Sequence, residues 1–243
     1  MFYGFETDGI YQEGDILPNG NPALYDPSYN ITYDDDNDSG TDEILYSDGI
    51  SAGDPRIVDQ NGDGVINDDD RTFIGNPNPD FIYGINLNFR YKRFNASVLL
   101  NGVSGNDIAN GNLLTIGNAT GQFQNITKDA YYNAWRPDAP SNTHPRIGYN
   151  TVGDTAITDR IIEDGSFLRL NNVTIGYDVP LQNNKLFERF NIFITAQNLY
   201  VWTNYSGYNP EISSFSYDGL RNGVDWNGSP DARNISFGVN INF

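Results

Sequence analysis

The residues best spaced for chemistry run from Asp59 to Asp70: Asp59-Gln60-Asn61-Gly62-Asp63-Gly64-Val65-Ile66-Asn67-Asp68-Asp69-Asp70. Asp59, Asn61 and Asp63 place side-chain oxygens at alternate positions. Gly64 then permits a sharp turn, Val65 offers its backbone carbonyl, Asn67 follows, and Asp70 closes the loop with a carboxylate. This is the donor spacing of an EF-hand calcium loop, which wraps about six to eight hard oxygens around one Ca²⁺. Asp70 stands where that loop carries Glu, so chelation would come through a shorter arm. No helical periodicity flanks the stretch, so it is not a complete EF-hand. The competing reading is an acidic, solvated turn that caps a strand. Ca²⁺ is the one cofactor the sequence suggests, with Asp59, Asn61, Asp63, Val65, Asn67 and Asp70 as its candidate ligands.

Other chemistry is scarce. The acidic run Asp34-Asp35-Asp36-Asn37-Asp38, with Asp42 and Glu43, reads as a solvated loop. There is no cysteine, and the single histidine, His144, sits in a turn-like Asn142-Thr143-His144-Pro145 setting without a nucleophile motif. Neither a G-x-S-x-G elbow nor a phosphate-binding glycine loop occurs. Carboxylate pairs in so acidic a chain single out nothing. The expectation is a protein that is not an enzyme. With 32 acidic against 14 basic residues the net charge is −18, which argues against nucleic acid and against a basic patch on anionic lipid.

The elements that must carry these loops are strands. Tyr and Phe number 16 and 14, Asn and Gly are abundant, and strong helix formers are few. From Phe81 to Lys92 the set Phe81, Tyr83, Ile85, Leu87, Phe89, Tyr91 alternates with a largely polar set, a period of two that sorts the residues onto opposite faces. Its apolar face has aromatics at the ends and aliphatics between, the order suited to a bilayer with rings at both head-group levels. Lys92 and Arg93 leave room only for a tight turn before Phe94, Ala96, Val98 and Leu100 resume the alternation. A third strand covers Phe167 to Val179, with a parity change that calls for a bulge near Asn171. A fourth runs from Arg189 to about Tyr200. A fifth, Asn234 to Phe243, is the most regular.

Between these strands short and long connections alternate: a tight turn, then Val103–Ser166, then Pro180–Glu188, then Val201–Arg233. Outer-membrane barrels alternate short periplasmic turns with long extracellular loops in this way. The expected fold is therefore all-β: an antiparallel transmembrane β-barrel segment of about five to six C-terminal strands of a larger barrel, with long extracellular loops. Residues 1–80 would hold the end of a first strand plus an extracellular loop with the calcium motif. Residues 81–243 would hold the barrel strands and their loops. So few strands cannot close a barrel that passes a substrate, and their edges cannot stay unpaired in lipid. No apolar run approaches the ~20 residues of a membrane-spanning helix, and Met1-Phe2-Tyr3-Gly4 does not open a signal peptide. The sequence thus predicts that signal peptide and plug domain lie outside it. The alternative is a secreted, Ca²⁺-stabilised β-sandwich that binds glycans or mediates adhesion.

Several stretches resemble the C-terminal part of SusC/RagA-type TonB-dependent outer-membrane transporters. They are Tyr3–Tyr11, Asp59–Ile66, Ile74–Pro79, Ser166–Tyr177, Ala196–Leu199, Tyr205–Glu211 and the closing Phe243, in the family's order. The resemblance implies a barrel with an N-terminal plug, energised through the TonB complex by the missing N-terminal part. It implies import of glycans or peptides with a SusD-like lipoprotein lid, in the outer membrane of a Gram-negative, Bacteroidetes-type cell. It also implies that the terminal strand, through Phe237, Val239, Ile241 and Phe243, is read by the barrel assembly machinery. Partners are then that lipoprotein, TonB, the assembly machinery and the lipid bilayer, and not nucleic acid. The aromatics Trp135, Trp202, Tyr205, Tyr208 and Trp226 are candidates for ligand or lid contacts in loops, or for loop packing and an outer aromatic girdle.

Overall fold

The computed structural model describes residues 1–15, 51–62, 66, 68–117, 125–148, 157–181, 188–215 and 221–243. The fold is all-β with antiparallel sheets and few helices, as the alternation requires. Its strands are β1 (Phe2–Gly4), β2 (Thr7–Ile10), β3 (Pro55–Ile57), β4 (Thr72–Gly75), β5 (Phe81–Tyr91), β6 (Phe94–Ser104), β7 (Asp107–Asn110), β8 (Ile162–Asp164), β9 (Phe167–Asp178), β10 (Arg189–Thr203), β11 (Val224–Asp225) and β12 (Asn234–Asn242). Two short helices, α1 (Leu113–Ile116) and α2 (Lys128–Asn133), lie between β7 and β8. The chain divides into two compact units: Met1–Gly75 with Ala109–Ile162, and Asn76–Ile108 with Glu163–Phe243.

The second unit is built on a five-stranded sheet in the order β12-β10-β9-β6-β5. β5 and β6 pair from Phe81↔Ser104 to Tyr91↔Phe94, leaving Lys92 and Arg93 as the turn. Lys92 takes φ +54, a left-handed conformation that a non-glycine residue adopts at a cost of roughly 1–2 kcal/mol. β6 pairs β9 with a shift that sets Leu99 opposite Asn172 and Leu100 opposite Leu170. Asn171 is thus the extra residue of a β-bulge, where the change of parity predicts one. The bulge keeps Leu168 and Leu170 on the same face as Val173, Ile175 and Tyr177, a continuity that an unbroken period of two would lose. β10 accommodates it with its own shift between Gln197 and Tyr200, and with Asn198 at φ +53. Pairing then resumes at Tyr200↔Leu170 and continues to Thr203↔Phe167. β10 is therefore longer than its alternation suggests, and Trp202 belongs to a strand and not to a loop.

The first unit is assembled from short pieces. β1 pairs β4, β2 pairs β3, and Phe5, Ile57 and Ile66 form a small core. The stretch Phe2–Gln12, read from sequence as the end of a further strand, supplies β1 and β2 here. Thr127 caps α2, its hydroxyl accepting the Ala130 N–H at 3.1 Å. Trp135 lies across Gly53, whose φ of +95 and close approach to the indole leave no room for a side chain.

Candidate functional site

The sheet of the second unit has two chemically different faces. Cross-strand rows read Tyr83–Gly102–Leu168–Trp202, then Ile85–Leu100–Leu170–Tyr200, then Leu87–Val98–Val173–Ala196–Ile235. Below these come Phe89–Ala96–Ile175–Ile194–Phe237 and Tyr91–Phe94–Tyr177–Ile192–Val239. This whole face is apolar, and its large side chains are exposed or half-exposed, with Leu87 at 42% and Phe237 at 81% exposure. Aromatics mark its two ends. Tyr200 and Trp202 meet edge-on at 4.9 Å at one, and Phe94 and Tyr177 pack at 4.8 Å at the other. The Tyr83 ring covers Gly102, and its hydroxyl donates to the Phe167 carbonyl at 3.0 Å.

The opposite face carries the rows Asn86–Leu99–Asn172–Gln197–Asn234, Asn88–Ser97–Thr174–Thr195–Ser236 and Arg90–Asn95–Gly176–Phe193–Gly238. Carboxamides and hydroxyls dominate it, and Thr174 and Thr195 share a 2.9 Å hydrogen bond across strands. Phe193 is accommodated among them by lying over Gly238. A concavity of about 620 Å³ opens on this face, lined by Asn88, Arg90, Ser97, Thr174, Thr195 and Asn240. An apolar face backed by a polar, concave one is an arrangement that would suit a channel wall.

At the end of the sheet nearest Trp202 the polar face holds Arg169, only 2% exposed. Its guanidinium donates to Asp231 at 2.6 Å and to Asn209 Oδ1 at 2.8 Å, and pairs with Glu211 at 2.8 Å. Asn101 donates to Glu211 at 3.2 Å and accepts from the bulge residue Asn171 at 3.0 Å. Nearby, Tyr205 donates to the buried Asp225 at 2.6 Å. Burial, and then the hydrogen bond to that carboxylate, push the Tyr205 hydroxyl far above the usual phenol range. Sequence reading takes Arg169 only as a polar strand position, because its partners lie 40 and 62 residues away.

The loop aromatics fall into three settings. Trp135 and Tyr205 are buried, at 7% and 5% exposure, and Trp135 Nε1 donates to Gln12 at 2.9 Å. Trp202 stands on the apolar strand face. Tyr208 and Trp226 have open surfaces, at 75% and 44% exposure. Phe237, Val239 and Ile241 lie on the apolar face of β12, and Phe243 follows it, also exposed.

Of the calcium-type loop, Asp63, Val65 and Asn67 lie outside the described residues. Asp59 accepts the Gly62 N–H at 2.7 Å, and Asp70, fully buried, accepts the Gln60 N–H at 2.9 Å. The closing carboxylate therefore reaches back to the opening turn. His144 sits in the first unit with Thr143 Oγ1 3.0 Å from its Nδ1 and Asp129 3.0 Å from its Nε2. Hydrogen bonds from His144 and Asn133 lower the Asp129 pKa.

No protein-family model matches the chain. It is 30% identical, over its whole length, to TonB-dependent receptor P3 of Formosa agariphila, and 26% identical over 99% of its length to TonB-dependent receptor SusC of Bacteroides thetaiotaomicron. It spans 22% of each of these relatives. Among solved structures, the RagAB peptide importer in its open-open state shares the fold over 100% of this chain and 22% of its own, with a TM-score of 0.68 at 19% identity. The closed-closed state gives a TM-score of 0.61 over 99% of this chain. The relatives are named as receptors and the solved neighbours as an importer, none as an enzyme. Sequence and fold together identify the chain as SusC/RagA-like, matching about a fifth of a TonB-dependent receptor.

Proposed function

We propose that the five-stranded sheet is a stretch of the wall of a transmembrane β-barrel in an outer-membrane, TonB-dependent importer. The observation that carries this reading is the exposed apolar face, continuous across all five strands and backed by the polar, concave one. Water would penalise such a face, whereas hydrocarbon accepts it. The 11 residues of β5 span about 35 Å at ~3.3 Å each, or about 27 Å at a ~40° tilt, which matches an apolar band of ~25 Å. A sandwich would instead bury that face against a second sheet, and among the described residues none covers it.

In this reading residues 1–80 form an extracellular excursion and residues 81–243 supply wall strands and outer loops. The imported solute is a glycan or a peptide, delivered under a SusD-like lipoprotein and driven through the TonB complex. The solved neighbour is a peptide importer, which supports the peptide class; the glycan class follows only from the resemblance of the sequence to the SusC/RagA family. The exposed Tyr208 and Trp226 are the loop aromatics open to solute or lid. β12, ending near Phe243, is the strand that the assembly machinery reads. The Asp59–Asp70 loop binds Ca²⁺, stiffening the excursion that carries it.

The experiment is membrane fractionation of cells expressing the whole receptor, with heat-modifiable migration as the measure of folded barrel. Folded receptor in the outer-membrane fraction is expected. A water-soluble, folded monomer would overturn the reading.

A further inference from the structure

We infer that Arg169 is a positioning residue: a buried latch that fastens Asn209, Glu211 and Asp231, near the two ends of the connection between β10 and β12, to the polar face of the sheet, making those ends a fixed rim and not a swinging lid. The placement of that rim at the mouth of a channel rests on the barrel reading above. The latch itself rests on hydrogen bonds.

Three features converge on it. The bulge at Asn171 turns Arg169 to the polar face, while its neighbours Leu168 and Leu170 stay on the apolar one. There the guanidinium engages Asp231, Asn209 and Glu211, all from the connection, in three contacts between 2.6 and 2.8 Å. Its planar fork suits such simultaneous contacts, which a point charge on a flexible stem does not reproduce. The acceptors are themselves tied together. Asn209 donates to Asp231 at 3.0 Å, the Glu211 N–H donates to Asn209 at 3.0 Å, and Asn101 on β6 holds the other Glu211 oxygen. The network is therefore closed through β6, β9 and both ends of the connection. A guanidinium this deeply buried, facing two carboxylates, loses a great deal if the connection lifts, because its charge then has no compensation.

The test uses the full-length receptor in lipid bilayers with a spin label at Tyr208→Cys, an exposed site whose label disturbs no packing. The connection is expected to be immobile in this parent. Arg169→Met, with folded barrel verified by heat-modifiable migration, should raise the population of released connection by at least about 10-fold, the loss of one charge-assisted hydrogen bond. Arg169→Lys should give an intermediate spectrum. Should Arg169→Met fail to fold, Glu211→Gln with Asp231→Asn removes the acceptors from the partly exposed side, and the same rise in mobility is expected. A reducible bis-thiol cross-linker joining Asn101→Cys to Glu211→Cys, whose native side chains meet at their tips, should restore immobility in the Arg169→Met background. It should also leave import intact in the otherwise unaltered receptor, because a rim need not move. An immobile label in the folded Arg169→Met or double variant would overturn the latch. So would import that stops on cross-linking and returns on reduction of the linker, since the connection would then be a lid. The mobility readout makes no use of transport, so it judges the latch even in a receptor that imports nothing.

Discussion

Leu87→Arg and Asn88→Arg differ by one residue in position and should differ greatly in consequence. Leu87 lies in the middle row of the apolar face, between the Tyr83–Trp202 row and the Tyr91–Tyr177 row. Its side chain faces away from the concavity and opposite Val98, so an arginine there would sit near the bilayer midplane. That costs about 2–4 kcal/mol, which lowers the folding equilibrium about 30- to 900-fold. Asn88 points the other way, beside Ser97 at the polar concavity, where a guanidinium stays hydrated. Its cost should stay within about 0.5 kcal/mol, roughly a factor of two. The assay is urea titration of the full receptor folded into phospholipid vesicles, followed by tryptophan fluorescence, with heat-modifiable migration confirming the folded form. Equal losses for the two substitutions, or a larger loss for Asn88→Arg, would refute the assignment of the apolar face to lipid.

Four further outcomes are expected. Tyr205→Phe removes the 2.6 Å bond to buried Asp225 and should cost the β10–β12 connection about 1.5–3 kcal/mol, read as faster hydrogen exchange over residues 204–215 and 221–228. In the unaltered protein the raised Tyr205 pKa makes this bond's contribution complete below pH 10.0 and lost only as pH climbs above it, so phenolate absorbance should show a tyrosine still protonated at about pH 11. The lowered pKa of Asp129 works in the other direction: its support of α2 is complete above the unfolded value of 3.8 and disappears as pH falls through the lower folded value. Asp129→Asn should remove that acid sensitivity from the exchange of Ala130–Asn133. Finally, millimolar Ca²⁺ should raise the melting temperature of the first unit, by about 2.7 kcal/mol of added stability at a hundredfold excess over Kd, and Asp70→Asn should abolish the rise. Melting that ignores Ca²⁺ in both proteins would reduce the loop to an acidic turn.

Much of the sheet was legible because a period of two is a local property. The strands through Leu87, Val98, Ile175, Ile192 and Val239 follow from alternation, and the bulge at Asn171 follows from the one place where alternation changes phase. What was not legible depends on distant partners. Trp202 reads as a loop residue because the alternation of the fourth strand is followed only to about Tyr200, and only pairing with Leu168 shows that the strand continues. Trp135 reads from sequence either as a ligand or lid contact or as loop packing, and what decides for packing is burial by Gly53 and Gln12, the latter more than a hundred residues away. Arg169 has no local signature at all. The short strands β1 to β4 carry too few residues for periodicity and are held by tertiary contacts. The calcium-type loop is the reverse case, clear in sequence by its spacing while three of its candidate ligands lie outside the described residues.

The extra residue in β9 decides which changes of length the sheet can absorb. Deleting the Asn171 codon would leave Leu170 and Asn172 adjacent, opposite Leu100 and Leu99, so plain alternation would keep Leu168, Leu170, Val173, Ile175 and Tyr177 on one face and Arg169 on the other. The loss would be the hydrogen bond from Asn171 to Asn101 and the local bend. A codon inserted or deleted in the unbroken ladder of β5 and β6 has no such outlet and would turn part of the strand over. Genetic changes of length should therefore be borne at this point of β9 and purged from β5 and β6.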